Sequence, residues 1–104
     1  MCIRDSITTD AGALDGMVRG HGYYPDLPTA AAGAIKVGIN QFLDGVYKDA
    51  VTQALQKNLI TMAEIEQVER GSFRTMIKLG LLDPPELVPY TRIKDGPEPW
   101  TRCV

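Results

Sequence analysis

The chain has 104 residues, a formal net charge of −2, 44% hydrophobic and 23% charged residues, close to the averages of a soluble globular protein. That length holds at most one small domain with a modest core, and the charge balance gives no electrostatic reason to expect nucleic acid or an anionic membrane as partner. No apolar run approaches the roughly 18–20 residues that span a bilayer, and Arg4 and Asp5 stand where a signal peptide would need an apolar stretch. Cys2 and Cys103 lie near opposite ends, and with His21 as the single histidine they make neither a zinc site nor a disulfide framework.

In chain order, "MCIRDS" supplies no apolar strand residues ahead of the β-branched Ile7, Thr8 and Thr9, so residues 1–6 read as a non-native leader. Ile7–Thr9 reads as the end of a short strand with a turn directly after it. The loop from Asp10 to Asp26 holds Gly12, Gly16, Gly20 and Gly22, with a helical turn possible at Leu14, Met17 and Val18. Pro28 and Thr29 open a helix, since proline is tolerated in the first turn, and Gly38 stops it as a C′ glycine. Its alanines predict close packing against something flat, a sheet.

Ile39–Leu43 has strand character, and Asp44 and Gly45 turn the chain into a helix with Val46, Ala50, Val51, Ala54 and Leu55 at helical spacing. Asn58, a residue that tolerates the left-handed region, ends it. Thr61 and Glu64 then fit a capping box with Ile60 and Ile65 as a hydrophobic staple. This predicts a helix from Met62 to about Leu79, with Ile65, Val68, Phe73, Met76 and Ile77 on its apolar side and Gly71 as a point of close approach. Gly80 ends it, "LLDPPELVPY" leaves in extended form because residues before proline avoid the α region, and residues from 91 onward read as a surface linker. The order strand, helix, strand, helix, helix predicts an α/β parallel arrangement with helices covering a sheet. Such units carry their chemistry at the C-terminal ends of strands, where Asp10 and Asp44 fall. Two strands leave two unpaired edges, so further strands are expected elsewhere.

"TTDAGAL" resembles the nucleophile segment of the family 3 glycoside hydrolases, the β-glucosidase and β-xylosidase group. "AAAGAIKVGIN" is similar to that family's helix and turn, and "DAVTQALQKNLITMAEIEQVERGSFRTMIKLGLLDPP" to its closing helices, including Arg70. The resemblance runs from about Ile7 to Arg102. It implies a fold: the last two βα units of a (β/α)8-type barrel over residues 7–90, then a linker over 91–104 toward a missing second α/β domain in which Trp100 packs between domains. It also implies a function: a retaining β-glycosidase with a carbohydrate substrate and no cofactor, in which Asp10 is the nucleophile. The acid/base would come from the second domain, so the isolated chain is expected to be inactive. The location of the parent enzyme is left open, a periplasmic or secreted one being compatible with the family.

Three departures bear on that reading. Ala11 replaces the Trp or Cys common after the nucleophile, Asn40 replaces a common Asp, and the N-acetylhexosaminidase pattern of a second adjacent Asp is absent. Glucoside and xyloside are not distinguished by this loop.

Each candidate also has a plainer reading. Asp10 before Ala-Gly can simply cap a turn. His21 and Arg19 can be solvated loop residues, and Tyr23 and Tyr24 can pack the loop as readily as stack on a sugar. Asp15-Gly16 reads as a turn, the spacing of a calcium loop is not met, and the glycines do not form the G-x-G-x-x-G phosphate fingerprint; no metal is expected. The competing functional readings are a small non-enzymatic helical protein-interaction domain and a regulatory glycosidase-like domain without activity.

Overall fold

The computed structural model describes residues 6–43 and 45–93, so Asp44, Trp100, Cys2, Cys103, the leader residues 1–5 and the linker residues 94–104 lie outside the described residues. A short helix α1 (Ala13–Asp15) runs into a π-helical turn (Gly16–Gly20). Three longer helices follow: α2 (Leu27–Lys36), α3 (Tyr47–Gln56) and α4 (Met62–Lys78), and then two 3₁₀ turns (Pro85–Leu87 and Pro89–Arg92).

The α/β architecture expected from the alternation is not there. Among the described residues no strand forms, and the two expected strands, Ile7–Thr9 and Ile39–Leu43, meet only at one isolated parallel bridge between Thr8 and Gln41. Segments this short, each with a single neighbour, lack the third strand that stabilises a sheet. The chain is therefore a small helical body and not a pair of (β/α)8-type barrel units.

The alanines of α2 are buried as expected, but by helices. Ala30 and Ala31 cluster with Leu14 and Ala50, while Ala32 and Ile35 cluster with Ala54, Ile60 and Val68. Buried on two faces at once, α2 has room only for side chains that let the backbones of its neighbours come close, and dense packing tolerates little else. Phe42 and Val51 touch both clusters. Phe42 also stacks on Tyr47, ring centroids 3.7 Å apart at 14°. Burial, with the charge of Glu69 adding to it, pushes the Tyr47 phenol up to about 12.

All three long helices end the same way. In α2 the Gly38 N–H donates to the Ile35 carbonyl (2.9 Å) and the Ile39 N–H to Ala34 (3.1 Å), the double bond pattern of a Schellman motif. Asn58 and Leu59 repeat it on Leu55 and Ala54, and Gly80 and Leu81 on Ile77 and Met76. The C′ residue in each is left-handed, with φ 95° at Gly38, 55° at Asn58 and 71° at Gly80. The sequence reading of these ends holds because the motif is purely local.

The starts are more varied. Thr61 and Glu64 form the expected capping box: the Glu64 carboxylate accepts from the Thr61 N–H (2.8 Å) and the Thr61 hydroxyl accepts from the Glu64 N–H (3.3 Å). That bond from the Thr61 backbone holds the Glu64 carboxyl below its ordinary range. Helix α2 begins one residue before Pro28, capped by Asp26, whose Oδ1 accepts from the Thr29 N–H (2.9 Å) and hydroxyl (2.5 Å). Lys57, the residue capping α3, donates to the other Asp26 oxygen at 3.1 Å.

Two further expectations are corrected. Ile65 and Val68 reach the core, but Phe73, Met76 and Ile77 are 54%, 39% and 61% exposed, because the other helices cover only the first half of α4. The segment after Gly80 is not extended throughout: two 3₁₀ turns interrupt it, the first following Pro84 (φ −55°, ψ 135°) and the second following the extended Val88. Thr91 ties the two turns by donating its hydroxyl to Pro85 (2.7 Å) and Val88 (2.8 Å) carbonyls.

Two outcomes follow from this packing. A Cβ on Gly33 would overlap the Tyr24 hydroxyl and ring, so Gly33→Ala lowers stability by about 1–3 kcal/mol in urea titration, although alanine is the better helix former; in a Tyr24→Ala background the same substitution carries no such cost. The Asp26 carboxyl, lowered from 3.8 to about 2 chiefly by the Thr29 hydroxyl, stabilises the fold fully above its unfolded value. That contribution disappears as pH falls through the window from about 4 to 2, and thermal melts at stepped pH show the loss flattened in Asp26→Asn.

Candidate active site

The segment carrying Asp10 is held by hydrogen bonds to side chains and backbone of the 40–43 stretch. Asn40 is the centre of this arrangement. Its Oδ1 accepts from the Ile7 N–H (3.0 Å) and the Ser6 hydroxyl (3.3 Å), and its Nδ2 donates to the Val68 carbonyl of α4 (3.1 Å). The backbone N–H groups of Asn40 and Gln41 both donate to the Ile7 carbonyl, at 3.1 and 3.2 Å. Two residues on, the Thr9 N–H donates to Gln41 (2.9 Å), and the Thr9 hydroxyl accepts from the Leu43 N–H (3.1 Å). Both polar side chains are buried, Thr9 and Asn40 each at 8% exposure, and burial of polar groups is stable only when they are paired in this way.

Asp10 is the first residue beyond that clamp, and it is exposed. Its Oδ1 accepts from the Ala11 N–H at 2.8 Å, while Oδ2 takes no hydrogen bond among the described residues. The chain then turns: Gly12 is left-handed at φ 73°, and the Ala13 N–H donates to the Asp10 carbonyl at 3.3 Å. A carboxylate fixed through one oxygen and open at the other can receive a hydrogen-bonding or electrophilic group from solvent.

The other residues named from the loop are placed separately. Arg19 pairs with Asp15 at 3.1 Å, an i,i+4 bridge on an exposed surface that contributes little to stability. His21 is exposed, its backbone N–H closing the π turn on Gly16 at 2.9 Å. Tyr23 is 76% exposed and meets Tyr24 edge-on, centroids 4.9 Å apart. No hydrogen bond, ion pair or ring contact joins Arg19, His21 or Tyr23 to Asp10 among the described residues. Two open recesses, of about 410 and 220 Å³, lie along α4 around Val68 and Gln67. Among the described residues no three His, Cys, Asp or Glu side chains converge as metal ligands, and no helix is long and apolar enough to cross a membrane.

Sequence reasoning singled out Asn40 only as a lost charge. The signal that could have found it is a polar amide inside the apolar stretch "KVGINQFL", which must find partners if it is buried. Thr9, expected in a strand, supplies the hydroxyl that anchors Leu43.

No protein-family model matches the chain. It is similar to a probable exo-1,4-beta-xylosidase of Neosartorya fischeri, 33% identical over 87 residues, 84% of this chain and 11% of that protein. Probable exo-1,4-beta-xylosidases of Aspergillus terreus and Aspergillus flavus are 29% and 30% identical over 87 residues, with the same 84% and 11% coverage. The chain thus spans about 11% of the length of the curated relatives it matches, and the similarity supports a distant relationship to glycosidases.

Proposed function

We propose that this chain is a segment of a longer retaining β-glycosidase of the family 3 type, acting on terminal β-linked xylosides or glucosides with Asp10 as nucleophile. The observation that carries the reading is the similarity to proteins named as xylosidases, extending over 84% of the chain. Those names favour xylosides over glucosides. In the double displacement, the open Oδ2 of Asp10 attacks the anomeric carbon as the leaving oxygen departs, forming a glycosyl ester. A second carboxyl group, roughly 5–5.5 Å away, protonates the leaving oxygen and then activates the water that cleaves the ester. That acid/base belongs to a part of the polypeptide outside these residues.

Two features of the fold support the reading. Asp10 stands at the exposed end of a rigidly held segment, which is where a nucleophile must be to meet a sugar. The uncovered half of α4 and the turn after it, with Phe73, Ile77, Leu79, Leu81 and Leu82 all at least half exposed, is apolar surface of the kind that further chain packs against. The partners of this segment are therefore a carbohydrate and the rest of its own polypeptide.

Asp10→Gly in the complete enzyme is expected to lower kcat on an aryl β-xyloside by at least about 10⁴-fold. Azide added to that variant restores turnover and gives the α-glycosyl azide; unchanged hydrolysis in Asp10→Gly rejects the assignment. The isolated 104-residue chain is expected to release no aryl leaving group above the buffer rate, whereas the complete enzyme does so.

A further inference from the structure

We infer that the second half of α4 is a docking surface for residues 94–104 of the same chain, with the Trp100 indole seated against Phe73 and Ile77, an inference independent of the nucleophile reading. This half of the helix carries two parallel rows. Phe73 and Ile77 form an apolar row and Arg70, Arg74 and Lys78 a cationic one, each stepping by the four residues that bring side chains onto one helix face. These five residues line an open recess of about 360 Å³.

An apolar floor beside guanidinium and ammonium groups suits one kind of occupant, a large aromatic ring with carboxylates close by. The ring gains burial and the attraction of cations for its face, and the carboxylates meet the cationic row. Residues 95–100 read Asp-Gly-Pro-Glu-Pro-Trp, so that Asp95 and Glu98 directly precede the only tryptophan of the chain.

The chain is also delivered to this half of the helix. Val88 is buried against Gly80, where the missing Cβ leaves room for its methyl groups, so the chain has returned to the C-terminal end of α4. The 3₁₀ turn of Pro89–Arg92 then leaves Ile93 within about 12 Å of Val88, at roughly 2 Å per residue. The middle of the recess lies about 7.5 Å back from Gly80, at roughly 1.5 Å per helical residue, which makes the span to be crossed about 20 Å. Trp100 is seven residues past Ile93, with Pro97 and Pro99 between them. A polyproline-like run of that length covers about 22 Å, and the indole adds to its reach. Seated in this way, the segment fixes the direction in which the polypeptide continues from the helical body.

Because the chain has one tryptophan, its fluorescence reads the surroundings of this residue directly. The test uses the 104-residue chain, shown to be folded by its helix content and a urea transition. Trp100 emission is expected to lie to the blue of its position in urea, with acrylamide quenching several-fold weaker. Phe73→Gln with Ile77→Gln, at exposed positions that leave the helix intact, returns both readings to their values in urea, whereas Leu82→Gln, beyond α4, changes neither. Emission already at the urea position in the folded unaltered chain overturns the inference, and so does protection that survives the double substitution. Protection that fades on dilution overturns it as well, by assigning the surface to a second copy. Should the 104-residue chain not fold, p-benzoylphenylalanine at position 100 of the complete polypeptide decides the matter. Irradiation is expected to join it to the peptide holding residues 70–78, and joining only to other parts of the polypeptide overturns the inference.

Discussion

A buried amide leaves one donor or acceptor unmet at a cost of about 1–3 kcal/mol, and Asn40 avoids that cost by joining three stretches that are far apart in sequence. Ser6 and Ile7 approach its oxygen, Val68 its nitrogen. Its backbone N–H shares the Ile7 carbonyl with that of Gln41. The requirement is mutual. Without the amide, the Ile7 N–H loses its partner, and the first described residues lose their attachment to α4. The segment bearing Asp10 is tied to the helical body by Asn40 on one side and, on the other, by Leu14 buried among Ala30, Ala31 and Ala50.

The core itself follows from a different constraint. α2 contacts the α1 region, α3 and α4, and alanine is the side chain that permits neighbours on more than one side. Leu14 and Ile35 are the largest fully buried side chains, so apolar bulk comes mainly from the partly buried rim, Phe42, Val51 and Leu55 among it. A core built this way is sensitive to added volume more than to lost volume. Gly33, which faces the ring of Tyr24, is the extreme case.

The helix ends were legible in the sequence because each depends on a handful of adjacent residues. Gly38, Asn58 and Gly80 need only their own positive φ, and Thr61 and Glu64 need only each other. The strands were misread because β-branched residues describe a preference and not a partner; Ile7–Thr9 found one neighbour and no sheet. Asp26 was passed over because proline marked the same helix start more loudly, although Pro28 supplies no hydrogen bond there. At the candidate site, Asp10 stands out within its own loop, whereas Asn40, thirty positions further on, does not, because its partners are mostly backbone. The expected apolar side of α4 failed halfway for the same reason: periodicity says which side chains share a face, and only the fold says how far the cover extends.

The glycine-rich loop before α2 has a consequence for ligand charge. A helix start after such a loop is a natural seat for phosphate, because the first N–H groups and the helix dipole favour an anion. Here the seat already holds one. Asp26 takes the Thr29 N–H and hydroxyl, and Lys57 neutralises it from the end of α3. A phosphorylated ligand would have to displace a carboxylate from its own donors and stand beside that charge. The start of α2 is thus satisfied from within the chain, by a carboxylate that Lys57 neutralises from the end of α3.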